Sequence, residues 1–339
     1  MKWTQVKSRP FVVPGIKPRQ PAAYKPQGRT SASLQLIDES LYLFGGADEK
    51  GALNDTWIFN KSVHAWCPFD AQDARVASSR TIAGEHDELD GTNTTTATKK
   101  SLLPLNIRPP PRAGHATYAF DGDPSRMWMF GGSGLRQGKG YNDMWVMDVA
   151  QISPRWEQIA PEGTAPTARM NHTAVTIGDL VLIYGGESQS CEPLSDVQAY
   201  DFRRNRWLDV RNVFSTPAPR QLHTAVRHNY NMVVIGGVGS ELRPPKDPVL
   251  IYDAEMMMWT SLRTYGQSPF DNQGTLTSLC GHATFAVEDK IVVFGGLRLG
   301  ECVNHIWILD LLSNRWAKVD CSADGLERQT PASRWKHVC

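Results

Sequence analysis

Five histidines recur in similar local sequence and are the first candidates for chemistry. They stand in the segments RAGHATYAF, RMNHTAVTI, RQLHTAVRH, LCGHATFAV and RWKHVC, at His115, His172, His223, His282 and His337. A set of imidazoles could bind a metal ion such as zinc or exchange protons near neutral pH. Which of these applies depends on whether the fold brings the five rings together.

Arginines in the same segments are a second set of candidates. Each stands three residues before a histidine, at Arg112, Arg169, Arg220 and Arg334. Their guanidinium groups could bind an acidic partner, or could pair with carboxylates of the same repeat such as Asp143 and Asp196. We expect the pairing within the repeat.

The usual sequence signatures of catalysis are missing. The chain contains no G-x-S-x-G, P-loop, H-E-x-x-H or C-x-x-C motif, and its six cysteines include no pair with metal-ligand spacing. We therefore expect no enzymatic activity, no metal ion and no cofactor.

The elements that must position these side chains belong to a tandem repeat of roughly fifty residues, interrupted by one insertion. A Gly-Gly pair follows a short apolar run five times, at Gly45 and Gly46, Gly131 and Gly132, Gly185 and Gly186, Gly236 and Gly237, and Gly295 and Gly296. After each pair come a polar loop, an apolar stretch ending in Asp or Asn, and then a tryptophan. The tryptophans are Trp66, Trp156, Trp207, Trp259 and Trp316.

Each repeat contains four short segments rich in β-branched and aromatic residues, which predict a four-stranded antiparallel sheet. The Gly-Gly pair, the Y/W-Φ-x-D segment and the W-x-x-Φ segment together resemble the kelch repeat over most of residues 29–339. The resemblance implies an all-β, kelch-type β-propeller in which each sheet is one blade. The glycines would permit positive φ angles and close approach of the backbone, and the tryptophans would pack between blades.

A propeller spreads equivalent residues around its axis, which bears on the histidines. A zinc ion needs its ligands at about 2 Å, and such spreading opposes that convergence. We therefore expect each histidine to form a hydrogen bond with the backbone or with a neighbouring blade.

We expect one domain, residues 1–339, with five complete blades and a partial sixth in a six-bladed ring. The segment KWTQV near the N-terminus matches a fourth strand and the final PASRWKHVC matches a first strand, so both are assigned to the sixth blade. On this interpretation either the native chain continues beyond residue 339 or the sixth blade is incomplete, and a five-bladed ring with frayed ends is the alternative. The Pro-rich segment 7–28 and the polar segment 69–108 are predicted to be flexible connections.

Loops between the second and third strands should share one face with the connections between blades, and such loops are where binding residues concentrate. The candidate partner-binding residues on this face are Arg136, Lys139, Tyr141, Glu187, Glu192, Arg243, Lys246, Arg298 and Glu301. Their mixed charge would suit electrostatic steering of a partner, and solvated loop charge is the alternative. Exposed aromatic anchors are expected at Tyr24, Phe69, Tyr141, Tyr265 and Phe270.

The repeats and the loop face favour a non-catalytic scaffold that binds a peptide or protein partner. The alternatives are a substrate-adaptor or regulatory propeller of a larger multidomain protein, and an enzyme with its site at the channel mouth. The net charge of +1 lacks the basic excess typical of nucleic-acid binding. No apolar run approaches the ~18 residues of a membrane helix, and no signal-peptide pattern opens the chain. We therefore expect a cytoplasmic protein, with the nucleus as the alternative compartment.

Overall fold

The computed structural model describes residues 25–69, 108–135, 140–151, 154–210, 216–272, 275–320 and 331–336. Within these ranges the regular structure is β-strand, apart from one short 3-10 turn at Ser240–Leu242. The longer strands form five antiparallel four-stranded sheets, and in each sheet every strand pairs with the next one along the chain. The all-β architecture is confirmed, and each sheet coincides with one repeat.

We refer to the five sheets as blades 1 to 5. Blade 1 comprises Ser33–Ile37, Ser40–Phe44, Thr56–Asn60 and Ala65–Pro68. Blade 2 comprises Ala116–Phe120, Asp123–Phe130, Met144–Asp148 and Trp156–Ile159. Blade 3 comprises Thr173–Ile177, Leu180–Tyr184, Val197–Asp201 and Arg206–Leu208. Blade 4 comprises Thr224–His228, Asn231–Ile235, Val249–Asp253 and Met258–Ser261. Blade 5 comprises Ala283–Val287, Lys290–Phe294, Ile306–Asp310 and Arg315–Lys318.

Within the described ranges, the loops and connections between these strands contain ten two-residue strands. They are Ala47–Asp48, Gly51–Ala52, Arg169–Met170, Glu187–Ser188, Tyr265–Gly266, Asp271–Asn272, Thr275–Leu276, Leu279–Cys280, Leu297–Arg298 and Glu301–Cys302. Four of them pair a connection between blades with a loop of the following sheet, Arg169–Met170 with Glu187–Ser188 and Leu279–Cys280 with Leu297–Arg298. Tyr265–Gly266 instead adds a parallel strand to the outer edge of blade 5, which protects that edge.

The hydrophobic core lies between blades. Because the second strand of a blade is buried on both faces, it is apolar at successive positions rather than at alternate ones. In blade 2, Met127 and Met129 pack in a cluster with blade 1, whereas Trp128 and Phe130 pack in a cluster with blade 3. Two further clusters join blade 3 to blade 4 and blade 4 to blade 5.

The fourth-strand tryptophans pack against an aromatic residue of the preceding blade. The ring centroids of Phe44 and Trp156 lie 4.9 Å apart, and those of Phe130 and Trp207 lie 5.3 Å apart. Tyr184 and Trp259 repeat the arrangement at 4.6 Å. The prediction that the tryptophans pack between blades is confirmed for these three. Trp156, Trp207 and Trp316 are buried, whereas Trp66 and Trp259 are only partly buried.

The expectation of exposed aromatic anchors at Phe69 and Phe270 is wrong. Blade 4 ends its second strand with Ile235 rather than an aromatic residue, and Phe270 from the following connection packs against Trp316 instead, with ring centroids 5.9 Å apart. Phe69 belongs to the core between blades 1 and 2. Tyr265 is half-exposed, and Tyr24 lies outside the described residues.

The Asp or Asn that closes each third strand organises the turn into the fourth strand. The Asp201 carboxylate accepts hydrogen bonds from the backbone N–H groups of Arg203 and Arg204, both at 2.9 Å. Such a side-chain-to-backbone bond replaces a backbone turn and explains the residue type at this place. Asn60, Asp148, Asp253 and Asp310 also accept backbone N–H groups in their turns.

Six backbone hydrogen bonds form a closed ring at the centre of the molecule. The N–H of each member donates to the carbonyl of the member before it, and the N–H of Ser31 donates to the carbonyl of Lys336 at 3.0 Å. The members are Ser31, Gly114, Asn171, Leu222, Gly281 and Lys336. All six have positive φ, from 50° to 68°. Five members precede the first strands of blades 1 to 5, so the sheets are arranged radially about one axis as a β-propeller.

Lys336 holds a sixth place in this ring between blade 5 and blade 1. The N–H of Gly296 also donates to the carbonyl of Arg334, as Gly132 does to Arg169. Residues 331–336 thus start where the first strand of another blade would start. The proposed fourth strand near the N-terminus and His337 lie outside the described residues, as do residues 7–24 and 70–107 of the two connections. The sixth blade stays a prediction.

Candidate functional site

The residues that follow the Gly-Gly pairs meet the connections between blades on one face. Met170 pairs with Glu187 and Cys280 pairs with Leu297 as short antiparallel ladders. Isolated bridges join Thr30 to Ala47, Ala113 to Ser133 and Gln221 to Val238. The prediction that the two kinds of loop share a face is confirmed, because one such contact occurs in each blade.

A cavity of about 560 Å³ opens on this loop face, at the mouth of the central channel. Its floor contains ring members such as Ser31, Asn171 and Leu222. Its wall contains the neighbouring residues of the ladders, among them Met170 and Val238. Every described blade contributes at least one residue to it. A pocket of this size suits part of a ligand rather than a whole folded domain.

Three leucines reach solvent near the rim of this cavity. Leu135, Leu242 and Leu299 are 43%, 64% and 55% exposed, and each follows a Gly-Gly pair in its loop. Each has a positive φ of 55° to 57°. Leu135 and Leu242 line the cavity, and Leu299 adjoins the lining residue Gly300. Large exposed apolar side chains gathered at one opening are typical of interaction sites.

One wall of the cavity is polar. Glu187 is only 8% exposed, and its Oε1 accepts a hydrogen bond from the Asn171 amide at 3.4 Å. Asn171 also donates to the amide oxygen of Gln221 in the next blade at 3.3 Å. Burial raises the pKa of Glu187, while hydrogen bonds from Gln221 and Asn171 and the charge of Lys336 act in the opposite direction.

The opposite wall contains Lys336, Trp335 and Cys280. The Lys336 ammonium lies 4.7 Å from the centroid of the Trp335 ring. Burial lowers the pKa of Lys336, and the charge of Glu187 opposes that shift. Burial also raises the pKa of the Cys280 thiol to about 11, so this thiol is protonated and unreactive near neutral pH.

Three of the four repeated arginines are structural, as expected, whereas Arg334 is exposed. Arg112 is fully buried and forms a bidentate pair with Asp143 at 2.7 and 2.8 Å, and Arg169 pairs with Asp196 at 3.0 and 2.7 Å. Burial opposes ionisation of both carboxyl groups, but the arginine bonds outweigh it and lower the pKa of each. Arg220 differs because it donates to the backbone carbonyls of Gly236 and Asp247. These guanidinium groups are occupied within the blade.

Three of the repeated histidines form hydrogen bonds between blades. Nε2 of His115 lies 2.7 Å from the hydroxyl of Ser33, and Nε2 of His223 lies 2.9 Å from that of Thr173. His282 repeats the contact with Thr224 at 2.8 Å. In each case the hydroxyl belongs to the preceding blade, which confirms the expected structural role. Among the described residues, no three or more His, Cys, Asp or Glu side chains are grouped so that they could hold a metal ion.

The predicted partner-binding residues do not converge on one site. Glu187 lines the cavity, whereas Glu192, Lys246 and Glu301 are exposed on the loops. Three others make contacts within the chain: Arg243 pairs with Glu241, Arg298 donates to the Pro269 carbonyl at 2.7 Å, and Tyr141 lies under the Arg112 guanidinium at 4.2 Å. Arg136 and Lys139 lie outside the described residues. A binding role for this set stays a prediction.

Sequence reasoning missed the polar lining residues Asn171, Gln221 and Lys336. All three lie between the arginine and the histidine of the segments RMNH, RQLH and RWKH. The signal was the variability of these two positions between constant landmarks. At positions that differ from blade to blade while their neighbours repeat, the packing between blades does not fix the side-chain type. Here these positions face the channel mouth.

Radial four-stranded sheets, one per repeat, define the chain as a propeller whose loops surround a channel mouth. The family model of the KLHDC2/KLHL20/DRC7 Kelch-repeats domain matches residues 83–281, and that of the Kelch motif matches residues 278–320. The first match covers more than half of the chain. The chain therefore belongs to the kelch-repeat family.

Several characterised proteins are similar to this chain. It is 23% identical to kelch domain-containing protein 3 of Homo sapiens over 305 residues, which cover 87% of this chain and 67% of that protein. It is 25% identical to host cell factor of Drosophila melanogaster over 261 residues, 66% of this chain and 16% of that protein. It is 30% identical to serine/threonine-protein phosphatase BSL2 of Arabidopsis thaliana over 221 residues, 60% of this chain and 21% of that protein. The chain thus spans only a small share of the last two relatives.

The described residues contain no helix with the length and apolar character needed to cross a lipid bilayer.

Proposed function

We propose that this chain is a non-catalytic interaction scaffold that binds a peptide or protein partner at the mouth of its channel. The cavity of about 560 Å³ on the loop face carries this proposal, because residues from every described blade line it. The exposed Leu135, Leu242 and Leu299 extend the apolar surface beyond its rim. A rigid sheet framework that presents variable loops around an apolar opening suits recognition of an extended segment.

The experiment compares affinity capture from native cells by two matched variants. One replaces the rim leucines by Leu135→Asp, Leu242→Asp and Leu299→Asp. The control carries Met256→Asp and Leu312→Asp, which change side chains that are 64% and 79% exposed in third-to-fourth-strand turns on the opposite face. We expect the rim variant to lose specific partners that the wild type and the control retain. Equal partner lists for all three proteins, measured by quantitative mass spectrometry, would contradict the proposal.

A second candidate is a substrate-adaptor or regulatory propeller within a larger protein. Its support is that host cell factor and phosphatase BSL2 match this chain over only 16% and 21% of their own lengths. Sequencing the parent transcript across and beyond both ends of the coding segment tests it. A transcript that encodes only these residues would exclude this second candidate and leave the first intact.

A further inference from the structure

One of five equivalent positions around the cavity carries a charge. The residue directly after each Gly-Gly pair lies in the ladder at the channel mouth, and the five residues are Ala47, Ser133, Glu187, Val238 and Leu297. Four of them are small or apolar. The fold therefore does not require an acidic side chain at this position, and blade 3 places one there nonetheless.

The Glu187 carboxylate is buried without a direct counter-ion. It is 8% exposed, and its neighbours are the side-chain amides of Asn171 and Gln221. Among the described residues, no lysine or arginine forms an ion pair with it; Lys336 acts on it only through longer-range charge. An ionised carboxylate has about four acceptor sites, so two amide neighbours leave capacity for another donor. A buried charge in this condition gains most from a cationic partner.

Apolar side chains also lie beside Glu187. Met170 is paired with it in the ladder, and Leu222 and Val238 line the cavity in the next blade. Leu135 and Leu242 continue this surface outward to the rim. An apolar wall that ends in a carboxylate matches a side chain with an aliphatic stem and a charged tip, which is the architecture of lysine and arginine.

We propose that Glu187 is a specificity site that receives a lysine or arginine side chain of the bound partner. The ammonium or guanidinium would donate hydrogen bonds to the Glu187 carboxylate, while the aliphatic stem packs against Met170 and Val238. This inference rests on the proposed function, because the basic side chain belongs to a segment held at the channel mouth.

Lys336 on the opposite wall allows a second test of the charge of the ligand group. It is the only other described charged residue among those that line the cavity, and its ammonium lies over the Trp335 ring. If the ligand group is cationic, Lys336 repels it, so removing this charge strengthens binding. If the cavity instead receives an acidic group, Lys336 attracts it, and the same change weakens binding.

The test uses oriented peptide libraries that are randomised at the flanking positions and carry a fixed central Lys, Arg, norleucine or Glu. Retention of each library is measured on immobilised full chain. We expect the wild type to retain the Lys and Arg libraries over the norleucine and Glu libraries. Glu187→Gln should reduce that preference about tenfold, and Lys336→Met should increase it. Glu255→Gln, which changes an exposed glutamate in the third-to-fourth-strand turn of blade 4 on the opposite face, should leave it unaltered.

Three outcomes would overturn the inference. They are equal retention of the norleucine library by the wild type, an equal loss in Glu255→Gln, and preference for the Glu library that Lys336→Met abolishes. Circular dichroism and the thermal midpoint of each variant confirm that it is folded. If the rim-leucine variant loses its cellular partners while Glu187→Gln retains them, the proposed function stands and only the role of Glu187 fails.

Discussion

At the scale of single residues, the buried histidines differ in whether the preceding blade supplies a hydrogen-bond partner. Ser33, Thr173 and Thr224 follow the same landmark in their blades, and each supplies a hydroxyl to the histidine of the next blade. Blade 2 has Ala116 at this position. Consequently Nε2 of His172 makes no hydrogen bond within the described part of the chain. A buried polar atom in that state costs stability.

Ala116→Ser should therefore stabilise the protein. The added hydroxyl supplies the missing partner of His172, and we expect a gain of about 1 kcal/mol in the free energy of unfolding. The measurement is chemical denaturation. Ser33→Ala should lose a similar or larger amount, because it orphans His115. The same Ala116→Ser change in a His172→Phe background should bring no gain, and a gain there would show that the hydroxyl acts elsewhere.

The buried histidines also predict acid sensitivity. Burial, together with the nearby Arg112 or Arg169, lowers the pKa of His115 and of His172 to about 3, and burial lowers that of His223 well below its ordinary value. The folded state keeps these rings neutral while the unfolded state binds protons below pH ~6.5, so stability is complete above that pH and falls as the pH drops towards the folded values.

Between pH 8 and pH 5.5 each of the three rings should remove about 1.4 kcal/mol from the free energy of unfolding. Urea denaturation across this range measures the loss. The paired carboxylates Asp143 and Asp196 do not confound it, because their lowered pKa values confine their contribution to lower pH. A free energy of unfolding that stays constant over the range would contradict the assignment.

At the scale of elements, the Gly-Gly pairs of blades 2 to 4 each lie between the histidine of their own blade and the histidine of the next blade. A Cβ on Gly131 would lie 2.8 Å from Cε1 of His172 in the next blade and 2.9 Å from the carbonyl of Arg169. A Cβ on Gly132 would lie 2.9 Å from Cβ of His115 in its own blade. Both glycines also have positive φ, 71° and 96°. Glycine is therefore required at both positions, because the backbone has a positive φ and because the neighbouring atoms leave no room for a Cβ.

Gly131→Ala and Gly178→Ala separate these two requirements. Gly178 has a φ of 58° in a hairpin turn, and a Cβ there would meet nothing within 4 Å. We expect Gly178→Ala to cost about 1 kcal/mol for its left-handed backbone alone. Gly131→Ala should cost about 3 kcal/mol or more, because the clash with the next blade adds to the same conformational cost. Thermal or chemical unfolding gives both values, and equal losses would refute the steric contribution.

The elements were largely predictable because the landmarks have local causes. The positive φ angles require glycine at the Gly-Gly pairs, and the side-chain hydrogen bonds in the turns require Asp or Asn. Burial of the second strands on both faces requires apolar residues there. Phe270 was not predictable as a core residue, because its role depends on Ile235, which stands where the second strands of the other blades end in an aromatic residue, so that Phe270 supplies the ring beside Trp316. Likewise, the placement of the polar lining residues Asn171, Gln221 and Lys336 depends on which blades are adjacent, and a repeat pattern does not show where each variable position points.

At the scale of the whole molecule, the ring of six hydrogen bonds links all five blades through the segment at residues 331–336. The carbonyl of Lys336 receives the N–H of Ser31, and the carbonyl of Arg334 receives the N–H of Gly296. These bonds join blade 5 to blade 1, and among the described residues no further four-stranded sheet lies between them. The first strand of blade 5 leaves Phe285 and Val287 43% and 52% exposed, whereas Tyr118 and Val175, the equivalents of Phe285, and Ile177, the blade 3 equivalent of Val287, are buried.

Removing residues from 331 onward should open this junction. The N–H groups of Ser31 and Gly296 lose their acceptors, so we expect their hydrogen exchange to accelerate about tenfold or more. The N–H groups of Gly132 and Asn171, whose acceptors lie in blades 2 and 3, serve as internal controls and should exchange at unchanged rates. Uniform acceleration at all four amides would indicate global destabilisation rather than a local seam.

The contact between one repeat's glycine and the next repeat's histidine bears on how such a chain could arise. The glycine pair of one repeat leaves room for the histidine of the next repeat, and its own histidine packs beside the glycine pair of the preceding repeat. A duplicated repeat therefore fits between its neighbours through contacts that are already present. Gene duplication that adds a repeat therefore needs no new side-chain contact at this junction. Blade 1 is the exception, since Ala32 stands where the other repeats have a histidine, so blade 1 has no imidazole at this position.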